Sequence, residues 1–258
     1  MTTKATIQFE KWPEVLMIAR HGQSEANVRK EAFKKQGLEP SWTGALRDQD
    51  SPLTELGHKQ GRALGEMIAQ AGNIETSDEA KLLGIGMGAG YFRPDVILCS
   101  PYLRAKETKE EIIRGMNHTP RVVTDVRLRE IDFGSMDGID RATFRKLYPH
   151  EADRRERDGK FYYRPPGGEN RPDVMMRVHS VLDTLNRDYV GEKVLIVCHS
   201  VVVLAFRALL ERWEEADYLQ VDKEDDVKNA ALTVYQRIEH RKLVLTHYNL
   251  VGDATLYE

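Results

Sequence analysis

The sequence predicts an α/β fold, a three-layer α/β/α sandwich with a mixed, mostly parallel sheet, and three observations lead there. The chain has 258 residues, 41% of them hydrophobic, which is enough to bury one large core. Short apolar runs rich in β-branched residues alternate with longer segments of helical periodicity, the order in which crossover helices join parallel strands. The last two apolar runs break that alternation. Only a short polar link around residues 238–241 separates them, so they are expected to pair as an antiparallel hairpin.

The elements follow in chain order. Val15 to Ala19 is the first strand. Leu56 to Ala71 has helical spacing behind Thr54, a residue suited to cap it. Val96 to Cys99 is the second strand, and Leu103 to Met116 is a helix charged on one face, with Pro101 expected in its first turn. Val122 and Val123 mark a third strand, and Val174 to Tyr189 a further helix. Val194 to Cys198 is a strand, and Val201 to Trp213 is apolar nearly all round, as a helix buried on several sides must be. Leu232 to Tyr235 and Leu243 to Thr246 form the hairpin. Two stretches interrupt the rhythm within a single domain over residues 1–258: Arg29 to Ser51 is polar, and Gly138 to Gly168 is charged, aromatic and bounded by glycines. Open α/β sheets place ligands at the carboxyl ends of their strands, so both excursions are expected to form a lid over a catalytic site at that edge.

The formal net charge is -3, which gives no global basic field for nucleic-acid binding. No run of roughly 18 apolar residues is present to cross a bilayer, and MTTKATIQFEKWPE lacks the apolar stretch of a signal peptide. Cys99 and Cys198, the two cysteines, each end an apolar run and read as reduced and buried. A cytoplasmic protein is expected, with a small-molecule or protein partner and with no nucleic-acid or membrane partner.

The chemistry-bearing residues cluster at the predicted strand ends. Arg20-His21-Gly22-Gln23-Ser24-Glu25-Ala26-Asn27 follows the first strand, where an arginine fork and a glycine that admits backbone suit an anion. His199 follows KVLIVC, and parallel strands bring such distant ends to one edge, so His21 and His199 are expected to converge. Two neutral imidazoles beside arginines suit attack on phosphorus near neutral pH. Ser100-Pro101-Tyr102-Leu103-Arg104-Ala105 places Arg104 one turn into its helix. Leu128 to Gly134 supplies Glu130, which becomes a proton donor if burial raises its pKa. Taken singly, each has an ordinary explanation: a surface turn, a hydrogen-bonded strand-end histidine, a solvated arginine, a surface carboxylate. The ordered set outweighs them.

That set, together with Ser51-Pro52-Leu53-Thr54-Glu55-Leu56-Gly57, resembles the histidine phosphatase superfamily, also called the phosphoglycerate mutase-like family, from about Leu16 to Leu210. The resemblance implies that His21 is a nucleophile that becomes phosphohistidine. It implies that Arg20, Arg104 and His199 bind the transferring phosphoryl group, that Glu130 donates the proton, and that Arg20, Gly22, Gln23, Asn27, Arg104 and Ser200 line the phosphate and substrate pocket. Ser200 stands where many members have glycine, which bears on substrate fit. Phe161 to Asn170, ending Pro-Gly-Gly-Glu-Asn, resembles a segment of the phosphatase branches. The resemblance therefore implies a metal-independent phosphatase acting on a small phosphorylated metabolite or a phosphorylated protein, with a phosphoglycerate mutase as the nearest rival and a catalytically weak binder of phosphorylated partners as a third reading.

Other signals carry less. Gly84 to Ala89 fits a loose dinucleotide fingerprint but lacks the preceding strand. Cys198 beside His199 is no thiol dyad, because neighbours on a strand face opposite ways. No pair of the eight histidines has zincin spacing, so no metal or cofactor is expected. The run Asp153 to Asp158 mixes signs and reads as a solvated helix face.

Overall fold

A computed structural model describes residues 11–35, 47–70, 92–137, 139, 141–238 and 242–257. The expected strands form one six-stranded sheet. Its members are β1 (Val15–Arg20), β2 (Val96–Cys99), β3 (Arg121–Thr124), β4 (Lys193–Cys198), β5 (Leu232–Ile238) and β6 (Lys242–Leu250), in the spatial order β3-β2-β4-β1-β5-β6. β3, β2, β4 and β1 run parallel, while β5 is antiparallel to β1 and to β6. The hairpin has formed as the short link requires, and the sheet is mixed and mostly parallel.

The described helices are α1 (Glu25–Lys35), α2 (Glu55–Gln70), α3 (Leu103–Met116), α4 (Arg141–Leu147), α5 (Pro149–Tyr162), α6 (Arg171–Asp188), α7 (Ser200–Glu211) and α8 (Glu215–Glu224). The central strands β1 and β4 are apolar from Val15 to Ala19 and from Val194 to Cys198 because both faces are covered. Leu16, Ile18, Val194 and Ile196 pack against α6 and α7, while Val15, Met17, Leu195 and Val197 pack against α2 and α3. Each such fully buried side chain stabilises the sandwich by roughly 1.5–3 kcal/mol. α7 is apolar nearly all round for the same reason, with Val201 to Ala208 all buried. Among the described residues no helix is long and apolar enough to cross a membrane.

Several expectations need correction. The first excursion does not begin as irregular chain: α1 runs to Lys35, beyond Arg29. α1 carries polar residues on nearly every face and so shows little apolar periodicity. Pro101 lies before the cap residue Tyr102 of α3 and so outside its first turn. α8, overlooked because its mixed polar sequence has little periodicity, starts with a capping box between Glu214 and Asp217. The second excursion holds α4 and α5 around a small apolar cluster of Phe144, Ala152 and Tyr163, and the Asp153 to Asp158 run lies on α5. Thr54 caps α2 as expected, its Oγ1 accepting from Gly57 N at 3.0 Å. The Gly84 to Ala89 stretch lies outside the described residues.

Candidate active site

Three parallel strands deliver the residues that matter. His21 follows β1, Ser100 follows β2, and His199 follows β4 as the residue capping α7. His21 is held by its backbone, with N donating to Cys198 O at 2.9 Å and O accepting from Ala230 N at 3.0 Å. Its side chain is 3% exposed. Nδ1 lies 2.7 Å from Gly22 O, which can only accept, and Nε2 lies 3.1 Å from the donor Arg104 Nε. Both contacts assign the same tautomer: the proton is on Nδ1 and the lone pair on Nε2. Burial first, then the charges of Arg104 and Arg20, hold the imidazole pKa well below 6.5. His21 is thus neutral at neutral pH, with the lone pair a nucleophile requires.

Gly22 makes this turn possible. Its N–H donates to Thr108 Oγ1 at 2.9 Å, and a Cβ at this position would stand 2.4 Å from Gly57 O. Any side chain there would push the loop off the start of α2. Thr108 in turn donates to Arg104 O at 2.6 Å, so one hydroxyl ties the first loop to the helix that carries the arginine.

His199 is fully buried, and its ring centroid lies 5.1 Å from that of His21. Nε2 lies 2.8 Å from Ser100 Oγ, which also accepts from Tyr102 N at 3.3 Å. When the Ser100 hydroxyl donates to Nε2, Nδ1 carries the imidazole proton. That buried Nδ1 has no hydrogen-bond partner. Burial, Arg104 and His21 hold this imidazole well below 6.5 too.

The two arginines differ. Arg104, 3% exposed, donates through Nε to His21, through Nη1 to Asp48 O at 2.5 Å and through Nη2 to Asp48 Oδ2 at 2.9 Å. Arg20 donates from Nη1 to Val227 O, while its buried Nε has no partner. Arg20 lines a cleft of about 520 Å³ with Gln23, Asn27, Lys228 and Tyr257, whereas His21, Arg104, Glu130 and His199 do not line it. Asn27 Oδ1 accepts from Ser24 N, Ser24 Oγ and Asn229 Nδ2 at 3.0, 2.9 and 3.2 Å. Gln23 accepts at Oε1 from Thr54 Oγ1 at 2.9 Å.

Glu130 follows a 3-10 turn, Val126–Leu128. Burial raises its pKa from 4.5, opposed by the Ile131 N–H and by Arg104 and Arg20 and reinforced by Asp48. Ser200 Oγ approaches Glu130 Oε2 at 3.5 Å, so the residue that replaces glycine stands beside the acid. The Pro-Gly-Gly-Glu-Asn segment braces this loop. Glu169 accepts from Arg129 at 2.7 Å, from Arg177 at 2.9 Å and from Asp132 N at 3.1 Å. Burial pushes the Cys198 thiol well above 9.0, which leaves it un-ionised and argues against a thiol nucleophile.

The arrangement thus gathers His21, Arg104, His199 and Glu130, with Ser200 beside Glu130. Arg20, Gln23 and Asn27 open on the adjoining cleft. Sequence reasoning missed Asp48, Thr108 and Asn229 as contacts of the site, and it gave Ser100 and Tyr102 no role of their own. Ser100 had a signal, its place at a strand end in a quoted motif. Asn229 had none. Among the described residues no group of three or more His, Cys, Asp or Glu is arranged to hold a metal ion.

Comparisons with known proteins identify the family and the fold. A model of the histidine phosphatase superfamily (branch 1) matches residues 77–250, a span that begins after His21 and includes Arg104, Glu130 and His199. A 2,3-bisphosphoglycerate-dependent phosphoglycerate mutase of Rhizobium etli is 28% identical over 245 residues, covering 93% of this chain and 98% of its own. A phosphoglycerate mutase-like protein of Arabidopsis thaliana is 31% identical over 180 residues, 68% of this chain and 48% of its own. Among solved structures, a mycobacterial glucosyl-3-phosphoglycerate phosphatase complexed with VO3 superposes with a TM-score of 0.61 at 23% identity, covering 92% of this chain and 98% of that one. The alpha-ribazole phosphatase of Shigella flexneri gives 0.66 at 18% identity, over 93% and 98%.

Proposed function

The chain belongs to the histidine phosphatase superfamily (branch 1), and from that membership we propose that it hydrolyses phosphate monoesters through a phosphohistidine on His21, without a metal ion. The observation that carries this reading is the His21 Nε2 lone pair 3.1 Å from Arg104 Nε, beside two buried donors, Arg20 Nε and His199 Nδ1, that lack acceptors. Buried donors without partners are costly, and the oxygens of a phosphoryl group would satisfy them.

His21 Nε2 attacks phosphorus in line, and a P–N bond forms as the P–O bond to the alcohol breaks. Glu130, whose pKa burial raises from 4.5, gives its proton to the departing oxygen. Water then attacks phosphorus and passes a proton to the Glu130 carboxylate, and the P–N bond breaks to return neutral His21. Arg20, Arg104, the His199 Nδ1 proton and the start of α7 balance the charge on the equatorial oxygens. Arginines and imidazole supply here what Mg²⁺ supplies in many phosphoryl-transfer sites. Activity should accordingly survive prolonged chelation and assay in metal-free buffer. A complete loss restored by one specific divalent ion would overturn the metal-free mechanism.

The mutase reading has support in the Rhizobium etli relative, whose name gives that reaction. The Pro-Gly-Gly-Glu-Asn brace favours hydrolysis, by its resemblance to phosphatase branches. A screen of phosphorylated metabolites that follows free phosphate, run beside an assay for phosphoglycerate isomerisation, decides between them. Isomerisation much faster than phosphate release would replace the hydrolase reading, and binding without any turnover would favour a phospho-partner binding protein.

A further inference from the structure

Tyr102 carries a polar group that neither the fold nor the mechanism above uses. Its backbone is fixed from both sides at the start of α3. N donates to Ser100 Oγ at 3.3 Å, the same hydroxyl that meets His199, and O accepts from Ala105 N and Lys106 N, each at 3.1 Å. The ring is half-buried and lies edge-on to the His199 imidazole, with centroids 5.1 Å apart. The guanidinium carbon of Arg104 stands 5.1 Å from the ring centroid on a cation–π contact. A well-anchored ring is thus held against two of the groups that would bind the phosphoryl. That packing involves the ring alone, and the oxygen at its tip adds nothing to it.

The hydroxyl has no hydrogen-bond partner among the described residues, and it is not sealed away as Arg20 Nε and His199 Nδ1 are. It is therefore open to a ligand. Burial first, then Asp48, opposed by Arg104 and reinforced by Asp132 and Glu130, push its pKa from 10.0 to about 12, so the phenol keeps its proton throughout the neutral range. The same charges locate it. Glu130, the acid that meets the departing oxygen, is among the groups close enough to act on the hydroxyl. The oxygens of the phosphoryl group already have Arg20, Arg104 and His199 Nδ1, so the substrate atoms left for Tyr102 belong to the alcohol.

We propose that Tyr102 is a specificity-determining residue, whose hydroxyl hydrogen-bonds a hydroxyl of the leaving alcohol, so that the site favours phosphate monoesters of polyols over those of simple alkanols. The inference rests on the phosphoryl-transfer reading of the site. A polyol ester replaces the water on the phenol oxygen with a hydrogen bond of its own. An alkanol ester sets a methylene there, displaces the water and returns nothing, and a site with a polar group left unpaired discriminates against such a substrate.

The test compares the full-length wild type with Tyr102→Phe and Tyr102→Leu on glycerol 3-phosphate and propyl phosphate, which share a three-carbon chain with and without hydroxyls. Phenylalanine keeps the ring against His199 and Arg104 and removes only the oxygen; leucine removes both, and an unchanged Tm shows that each variant is folded. The wild type is expected to favour glycerol 3-phosphate in kcat/KM, and Tyr102→Phe to narrow that preference by about fivefold, the worth of one hydrogen bond. Tyr102→Leu is expected to narrow it equally and also to lose kcat/KM on both esters, because His199 and Arg104 lose the ring they pack against. A preference that persists in Tyr102→Phe overturns the proposal, as do equal losses on the two esters in that variant; Tyr102 would then only pack. If the wild type hydrolyses neither ester, the hydrolase reading is in difficulty, yet calorimetric dissociation constants of the two esters still decide the role of Tyr102. Tighter binding of glycerol 3-phosphate that Tyr102→Phe removes supports it, and equal or absent binding of both esters to the wild type overturns it.

Discussion

Replacing His21 by alanine is expected to lower kcat on any phosphate monoester by on the order of 10⁴-fold or more, with the fold retained. The size of the effect follows from removing the atom that bonds to phosphorus. The arginines, His199 and Glu130 would still bind and polarise substrate, but water would have to attack directly at a site shaped for an imidazole. Retention of the fold follows from the backbone: the bonds from His21 N to Cys198 O and from Ala230 N to His21 O do not involve the side chain. The side chain is itself buried, so a destabilisation of about 1–3 kcal/mol is expected from the lost packing and from the uncompensated Arg104 Nε. Far-UV circular dichroism checks the fold and phosphate release checks turnover. Wild type quenched during turnover should also carry an acid-labile, base-stable phosphoryl label that the variant lacks. If His21→Ala keeps most of its activity, the covalent route is wrong.

The second large effect concerns Glu130 and depends on the leaving group. A sugar or glycerol alkoxide departs with a high-energy charge unless it is protonated in the transition state, whereas a nitrophenolate leaves readily without help. Glu130→Gln keeps size and hydrogen bonding but cannot deliver a proton, and general acid catalysis is typically worth about 10² to 10⁴ in rate. The variant should lose far more kcat/KM on an alkyl phosphate than on p-nitrophenyl phosphate, with the difference approaching that range. The pH profile gives a second readout. The acid form of Glu130 is the active one and its pKa is raised from 4.5, so wild-type activity on an alkyl phosphate falls as pH rises through that raised value. The neutral form of His21 is the active one and its pKa is lowered well below 6.5, so activity persists far into the acid range before His21 protonates. Glu130→Gln should abolish the basic limb and leave the acidic one. Equal losses on both esters would make Glu130 an organiser of the pocket, with Asp132 the next candidate for the proton.

Both predictions concern residues that were visible before any coordinates, and the reason is local. A strand that ends in Arg-His-Gly and another that ends in Cys-His announce themselves by apolar runs with polar ends, and the parallel topology implied by alternating elements already requires those ends to share an edge. The antiparallel hairpin was visible for the same reason, since so short a link between β5 and β6 permits no crossover. The elements that escaped are those without a local apolar period. α1, α4 and α8 are short or polar. Their positions are set by caps and by packing against other elements, as the Glu214–Asp217 capping box of α8 illustrates.

By itself the sequence determined the α/β layering and the strand ends, because these depend on periodicity, and the resemblance carried by its ordered motifs singled out His21, Arg20, Arg104, Glu130 and His199 as candidates. Only the tertiary structure decided which nitrogen of His21 holds the lone pair, because that depends on Gly22 O and Arg104 Nε arriving from opposite sides of the ring. Tertiary structure also decided that Ser100 fixes His199, that Glu169 braces the Glu130 loop, and that Asp48 holds the Nη groups of Arg104. Each of these contacts joins residues between 37 and 99 positions apart. Their hydrogen bonds depend on tenths of an ångström in the packing of separate elements, and no periodicity along the chain encodes such distances.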